Sequence, residues 1–293
     1  MYFMTRIADS ELILNPNGSV YHLNLHPENI GDLIIFVGDQ NRVPKVAKHF
    51  DSIDFEIQKR EFRTITGFYK GKKISVMSTG IGPDNIDIVV NELDALVNID
   101  LKTRTIKKKH KSLTIVRIGT SGSLQKDIPV DSFVLAKYGL GFDGMLHAYD
   151  CEHILEKEME DAFIKHTNYS NRKSRPYIVS NSSEIEAKLT SNKIFTGITG
   201  TAGGFYGPQG RILRLAIQDN DLNNKIDSFK FNDVRVTNLE METSAIYGLA
   251  KLLGHKAVSM NCIIANRANG TFSKDPYKAV EELIEYTLNK LID

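Results

Sequence analysis

Ile115-Val116-Arg117-Ile118-Gly119-Thr120-Ser121-Gly122-Ser123 is the stretch on which the reading of this chain turns. Its β-branched, apolar start predicts a buried parallel strand, and Gly119-Thr120-Ser121-Gly122 predicts a tight, hydroxyl-rich turn at the strand's carboxyl end. Open α/β sheets bind ligands at that end. Arg117 interrupts the apolar run, and a lone buried charge is costly. Either Arg117 and the Thr120 hydroxyl face a bound phosphate, or Arg117 pairs with an internal carboxylate at the sheet edge.

Working outward, the same grammar repeats. Leu33 to Val37 predicts a short buried strand running into Gly38-Asp39-Gln40-Asn41-Arg42, and Val43, Val46, Ala47 and Phe50 follow at helical spacing. Such a junction offers backbone N–H groups to an anion, or is simply a turn. Residues 60–79 read as paired strands ending at Thr79-Gly80-Ile81-Gly82, and Ile86, Val89, Val90, Leu93, Leu96 and Val97 share one face of a helix. Strands are expected over 132–136, 177–180 and 194–201, with helices over 151–168 and 184–189. Asn238-Leu239-Glu240-Met241-Glu242 predicts the opening of a helix closed by Gly254, and 256–265 one more buried strand. Asp275 caps a final helix with Pro276 in its first turn. The segment 212–232 carries no clear pattern. Strands alternate with helices and no linker or repeat intervenes, which predicts one α/β domain with a mixed sheet over 1–293, residues 1–19 forming an irregular extension.

The 293 residues are 41% hydrophobic, enough for a sizeable core. Lys plus Arg number 37 against 36 Asp plus Glu, so bulk charge gives no case for nucleic acid or membrane partners. The basic run Lys107-Lys108-Lys109-His110-Lys111 lacks interleaved aromatics and reads as a solvated loop. Cys151 and Cys262 form no metal spacing, and two isolated cysteines suit a reducing, cytoplasmic compartment. No apolar run approaches the roughly 20 residues that span a bilayer, and residues 1–17 show no signal-peptide pattern. His22, His26, His147 and His153 lack zinc spacing, so no metal is expected. Neither a nucleophile elbow, a GxxxxGK[ST] loop nor a dinucleotide fingerprint is present.

Polar residues gather where predicted strands end. Gly38-Asp39…Arg42, Arg60-Glu61 and Arg117…Thr120 bring three arginines, suited to an oxyanion through charge-assisted hydrogen bonds. Glu240-Met241-Glu242 brings carboxylates. Glu242 either complements a helix N-terminus or accepts hydrogen bonds from a pair of sugar hydroxyls. Phe205-Tyr206-Gly207-Pro208-Gln209-Gly210-Arg211 offers an aromatic face, an amide and a guanidinium, which suit a flat heterocycle, although a Gly/Pro loop with an exposed arginine is also commonplace.

Together with Tyr21-His22-Leu23, Ser78-Thr79-Gly80-Ile81-Gly82, Asp143-Gly144 and Asn266-Arg267, these motifs resemble in order the nucleoside phosphorylase superfamily, and within it the uridine phosphorylases, over roughly residues 20–292. The resemblance implies a three-layer α/β/α sandwich around a mixed, partly barrelled sheet. It implies reversible phosphorolysis of uridine, and of deoxyuridine or thymidine, to uracil and a pentose 1-phosphate, with inorganic phosphate as co-substrate and no cofactor. By the same resemblance Gly38, Arg42, Arg117 and Thr120 hold phosphate, with Arg60 from a neighbouring subunit of a homo-oligomer. His22 of the neighbour, Met241 and Glu242 meet the ribose. Ser121, Gly122, Phe205, Gln209, Arg211, Ile264 and Ala265 surround the base, and Arg117, Glu242 and Arg211 carry the chemistry. Purine-specific relatives place Asp, a proton donor, where this chain has Asn266. A purine phosphorylase or nucleosidase of the same fold, and a nucleoside-binding protein without catalysis, are the alternatives.

Overall fold

The structure, a computed structural model, describes residues 6–292. In chain order the first strands are β1 (Leu33–Val37), β2 (Ser52–Lys59), β3 (Phe62–Tyr69) and β4 (Lys72–Ser78). Two short strands, β5 (Ile99–Asp100) and β6 (Thr105–Ile106), pair with each other apart from the main sheet. There follow β7 (Thr114–Ser123), β8 (Phe133–Gly141), β9 (Tyr177–Ser180), β10 (Ile194–Thr201) and β11 (Lys230–Phe231). The last are β12 (Val234–Glu240), β13 (Lys256–Asn266) and β14 (Thr271–Phe272). The α-helices are α1 (Val43–Ala47), α2 (Pro83–Asn98), α3 (Lys157–Thr167), α4 (Ser183–Leu189), α5 (Leu222–Ser228), α6 (Thr243–Leu252) and α7 (Pro276–Ile292).

The main sheet runs β11-β12-β10-β8-β13-β7-β1-β4-β3-β2. Strand β12 also pairs antiparallel with β7, through Asn238↔Ser123 and Leu239↔Gly122. That extra ladder closes β12-β10-β8-β13-β7 into a five-stranded barrel, from which β1-β4-β3-β2 extends as an open wing. Register shifts between Ile263 and Ala265 on β13, and between Gly197 and Ile198 on β10, supply the curvature that closure requires.

Alternation along β1 divides the core into two faces. Ile34 and Phe36 pack with Val89, Leu93 and Leu96 of α2 and with Ile246 and Leu249 of α6. Ile35 and Val37 turn the other way, toward Val43 and Val46 of α1 and Leu283, Ile284 and Leu288 of α7. Helices thus cover both faces of a mixed, partly barrelled sheet, the α/β/α arrangement expected.

Three local expectations are corrected. Gly119-Thr120-Ser121-Gly122 is not a turn: β7 continues through Ser123, because β13 and β12 supply ladder partners to its end. Asn238-Leu239-Glu240 does not open a helix but ends β12, which β10 and β7 hold extended, and α6 starts at Thr243. The helix expected over 151–168 divides into a single 3-10 turn, Glu152–Ile154, and α3. Beyond these, β8 runs on to Gly141, and β2 lies ahead of the expected strand pair. Within 212–232 the chain is irregular up to α5 and then enters β11.

Candidate active site

A cavity of about 880 Å³ opens at the carboxyl ends of β1 and β7, within the size range of small-molecule sites. Gly38 and Arg42 reach it from the β1–α1 junction, and Arg117, Thr120, Ser121 and Gly122 from β7. Met241 and Glu242 come from the β12–α6 junction, Phe205, Gln209 and Arg211 from the loop after β10, and Ile264 and Ala265 from β13. Residues as far apart in sequence as Gly38 and Ala265 therefore line one cavity. Two expected residues do not join them within the chain. Arg60 is exposed at the β2–β3 turn, with φ +55°, although its neighbour Glu61 does line the cavity. His22 is held elsewhere, its Nδ1 2.7 Å from Glu92 Oε1, and the Glu92 carboxylate also accepts from the backbone N–H groups of His22 and Leu23.

The electrostatics centre on Arg117, which is 5% exposed. Its Nη2 donates to Glu242 and lies 3.3 Å from Glu240 Oε2, while Nη1 donates to Asn261 Oδ1 at 2.9 Å. Arg117 is thus paired with internal carboxylates and lines the cavity at once. Gly119 makes room for this fold-back, since a Cβ there would stand 1.7 Å from Arg117 Nη1. Burial opposes the Arg117 charge, but Glu242 and Glu240 outweigh it and hold the pKa above its ordinary value. Among the described residues Arg42 makes no such carboxylate contact: it donates to the Ile118 carbonyl at 3.3 Å, and burial, then the nearby Arg117 charge, lower its pKa. Two crowded cations, one of them without a carboxylate contact among the described residues, make a place where an oxyanion is favoured.

The two carboxylates divide their work. Glu240 accepts from the N–H groups of Glu242 (2.9 Å) and Thr243 (3.0 Å) and from the Thr201 hydroxyl (2.7 Å). It therefore complements the start of α6, the role that the sequence left open for Glu242. Glu242 accepts from the Gly82 N–H at 2.9 Å and from Arg117, and its pKa is raised by burial and by Glu240, against the pull of Arg117. Glu242 also lines the cavity. The close seating of α6 on β8 depends on Gly139, where a Cβ would lie 2.7 Å from Ser244 Cα.

At the far end Arg211 stacks 3.9 Å above the Phe205 ring centroid, and its Nη1 donates to Gln209 Oε1 and to the Phe205 carbonyl, both at 2.6 Å. That bond fixes the Gln209 amide with its NH₂ left to donate. Arg267 clamps the loop from behind by donating to the carbonyls of Gln209 and Gly210, and burial, with Arg211 adding, takes its pKa down to about 10. Asn266 is 1% exposed and ties down a loop: its Nδ2 donates to the carbonyls of Gln125 (2.9 Å) and Ile128 (2.8 Å), and its Oδ1 accepts from the Asn269 N–H. It is not among the residues that line the cavity, and its bonds serve loop structure.

Sequence reasoning missed Asn261, Glu240 as the helix anchor, Arg267 as the clamp and Phe272 in the wall. The repeated carboxylate in Glu240-Met241-Glu242 was a usable signal, whereas Asn261, inside an apolar strand, gave none. Among the described residues His49, Glu281 and Glu285 form one group able to hold a metal, away from this cavity and with Lys48 already 2.7 Å from Glu281. No helix among them is long and apolar enough to cross a membrane.

Comparison with known proteins places this geometry. The chain is 28% identical over 272 residues to a uridine phosphorylase of Thermococcus kodakarensis, covering 92% of this chain and 85% of that one. It is 25% identical over 273 residues to a DeoD-type purine nucleoside phosphorylase of Bacillus subtilis, covering 92% and 98%. A Trypanosoma brucei nucleoside phosphorylase, whose crystal structure is described as showing uridine phosphorylase activity, superposes with a TM-score of 0.87 at 28% identity, over 96% of this chain and 99% of that one. The model of the phosphorylase superfamily matches residues 32–292, which take in the whole barrel, the wing and every cavity-lining side chain named above, and the chain belongs to that superfamily.

Proposed function

We propose that the protein is a uridine phosphorylase, a pentosyltransferase that cleaves uridine with inorganic phosphate to uracil and ribose 1-phosphate. One observation carries the reading: the crowded Arg42–Arg117 pair, the Glu242 carboxylate and the Phe205–Gln209–Arg211 loop lie in sequence along one cavity. Phosphate belongs at Gly38, Arg42, Arg117 and Thr120, the ribose hydroxyls at Met241 and Glu242, and the base between Ser121, Gly122, Ile264, Ala265 and Phe205.

The chemistry needs a weak nucleophile placed beneath the anomeric carbon and a better leaving group. Arginines that hold the phosphate dianion supply the placement, and the dianion itself favours positive charge growing on the sugar. As the C–N bond breaks, its electron pair moves into the pyrimidine, and the Gln209 amide and Arg211 guanidinium donate to the carbonyl oxygens that receive it. These steps call on no cofactor. Uridine incubated with and without phosphate tests the reading: phosphate-dependent release of uracil supports it, and absence of turnover with any pyrimidine nucleoside overturns it. Inosine run in parallel separates the purine activity that the Bacillus subtilis relative is named for. Uracil release at equal rates without phosphate would instead indicate a hydrolase.

Gln209→Ala should raise KM for uridine by about tenfold or more, the loss expected when a buried polar contact to a ligand is removed, and leave KM for phosphate nearly unchanged. Kinetics against each substrate separately check it, and parallel rises in both would remove Gln209 from the base site.

The exposure of Arg60 and the distance of His22 from the cavity support a homo-oligomer in which neighbours lend these groups. Arg60→Ala and Arg117→Ala proteins, each impaired alone, should regain activity on being unfolded and refolded together, because mixed assemblies contain sites intact in both respects. Refolded mixtures no more active than the separate variants would contradict sharing. The buried, unpaired Cys151 and Cys262 fit a cytoplasmic setting.

A further inference from the structure

Ser121 lines the cavity one residue past Thr120, and its β13 partner Ile263 immediately precedes Ile264 and Ala265. That register sets its hydroxyl at the end of the cavity proposed for the base. Its Oγ accepts a 2.8 Å bond from Nδ2 of Asn238, a fully buried residue of β12 that is not among those lining the cavity. The Asn238 amide is fixed in that orientation. Its Oδ1 accepts from the hydroxyls of Thr199 at 2.9 Å and Thr237 at 2.7 Å. Thr237 can donate instead to the Ile198 carbonyl, 3.1 Å away, but among the described residues the buried Thr199 hydroxyl has no acceptor other than Asn238 Oδ1. Reversing the amide would strand the Thr199 proton, and leaving a buried donor unsatisfied is costly.

A serine hydroxyl carries one proton and accepts through its lone pairs. The Asn238 N–H is already aimed at the Ser121 oxygen, and among the described residues Ser121 donates to no acceptor. Its proton is therefore free for a ligand in the cavity. We propose that Asn238 is a positioning residue that holds the Ser121 hydroxyl as a hydrogen-bond donor to a carbonyl oxygen of the departing base. The inference rests on the phosphorylase reading and deepens it. As the C–N bond breaks, its electron pair enters the ring and charge builds on the carbonyl oxygens. Each of these oxygens has two lone pairs, so the two carbonyls of uracil can accept from Ser121 as well as from Gln209 and Arg211. The hydroxyl keeps its proton, and the bond strengthens as the base becomes anionic. Along Thr199, Asn238 and Ser121 each donor is polarised by the one behind it.

Ser121→Ala should lower kcat and kcat/KM for uridine by about tenfold or more, the worth of one hydrogen bond to a charged acceptor, and leave KM for phosphate unchanged. The loss should be smaller with 5-fluorouridine, whose more acidic base needs less help to leave. Near-normal turnover of uridine, or equal losses on the two nucleosides, overturns the donor role. Asn238→Ala should show part of the same loss, and the double variant should be no slower than Ser121→Ala alone. Additive losses would show that Asn238 serves the barrel and not the hydroxyl. Should Asn238→Ala fail to fold, Asn238→Asp, which keeps the shape and the acceptor for Thr199, replaces it in the same cycle. A wild type that releases no uracil with phosphate removes the functional reading itself, whereas an active wild type matched by Ser121→Ala removes this inference alone.

Discussion

Arg117→Ala is expected to abolish useful phosphorolysis, lowering kcat/KM by 10²-fold or more, roughly the loss seen when a preorganised charge-stabilising donor is removed from a catalytic site. The same substitution should also cost stability. Glu240 and Glu242 are each 4% exposed, and Arg117 is the cation that both face. Stranding buried carboxylates by deleting their partner typically costs about 3–5 kcal/mol, which should appear as a clear drop in Tm at neutral pH. The pH dependence gives a further check. Burial and Glu240 already hold the pKa of Glu242 above its unfolded value against the pull of Arg117, so without Arg117 it rises further. A raised carboxylate pKa means that the folded state binds the extra proton, so the variant's deficit should shrink as pH falls through that pKa and grow as pH rises. A variant with near-normal phosphate kinetics would detach Arg117 from the nucleophile. A deficit that does not change with pH would show that the carboxylates find another partner.

Gly119→Ala should come close to this effect without removing any charge. Its new methyl would stand where the Arg117 guanidinium lies, 1.7 Å from Nη1 and 2.4 Å from Cζ, and the guanidinium must swing away from Asn261 and Glu242. Displacing a positioned catalytic group by about 1 Å can lower rates by about 10²-fold. The loss should appear in kcat and in KM for phosphate more than in KM for uridine, because the loop of Phe205, Gln209 and Arg211, proposed to hold the base, is not touched. Parallel steady-state measurements on Arg117→Ala and on the double variant give the sharper test: a glycine that acts through Arg117 adds little once Arg117 is gone. Additive losses would show that Gly119 matters for the strand rather than for the guanidinium.

Local sequence carried much of the architecture. The apolar stripe of α2, the Asp275-Pro276 start of α7 and the strands β1 and β13 were legible because helical and strand periodicities and capping chemistry are properties of neighbouring residues. The cavity-lining residues were legible for a related reason: glycines, hydroxyls and charges that interrupt apolar runs have few structural uses. What neighbours could not reveal were the partners. Gly119 to Gly122 signal a turn in isolation and form a strand only because β12 returns to close the barrel against them. Asn238 to Glu240 carry a helix start in their side chains and are extended by pairing on both edges.

The sequence by itself determined which residues could hold an oxyanion, a sugar and a heterocycle, and that strands and helices alternate around them, since composition and periodicity are local. Only the tertiary structure decided that Arg117 pairs with Glu242, that Glu240 rather than Glu242 anchors α6, and that Asn266 ties down a loop. Those choices depend on which strands meet when the barrel closes, and buried charges take whichever partner closure places within reach.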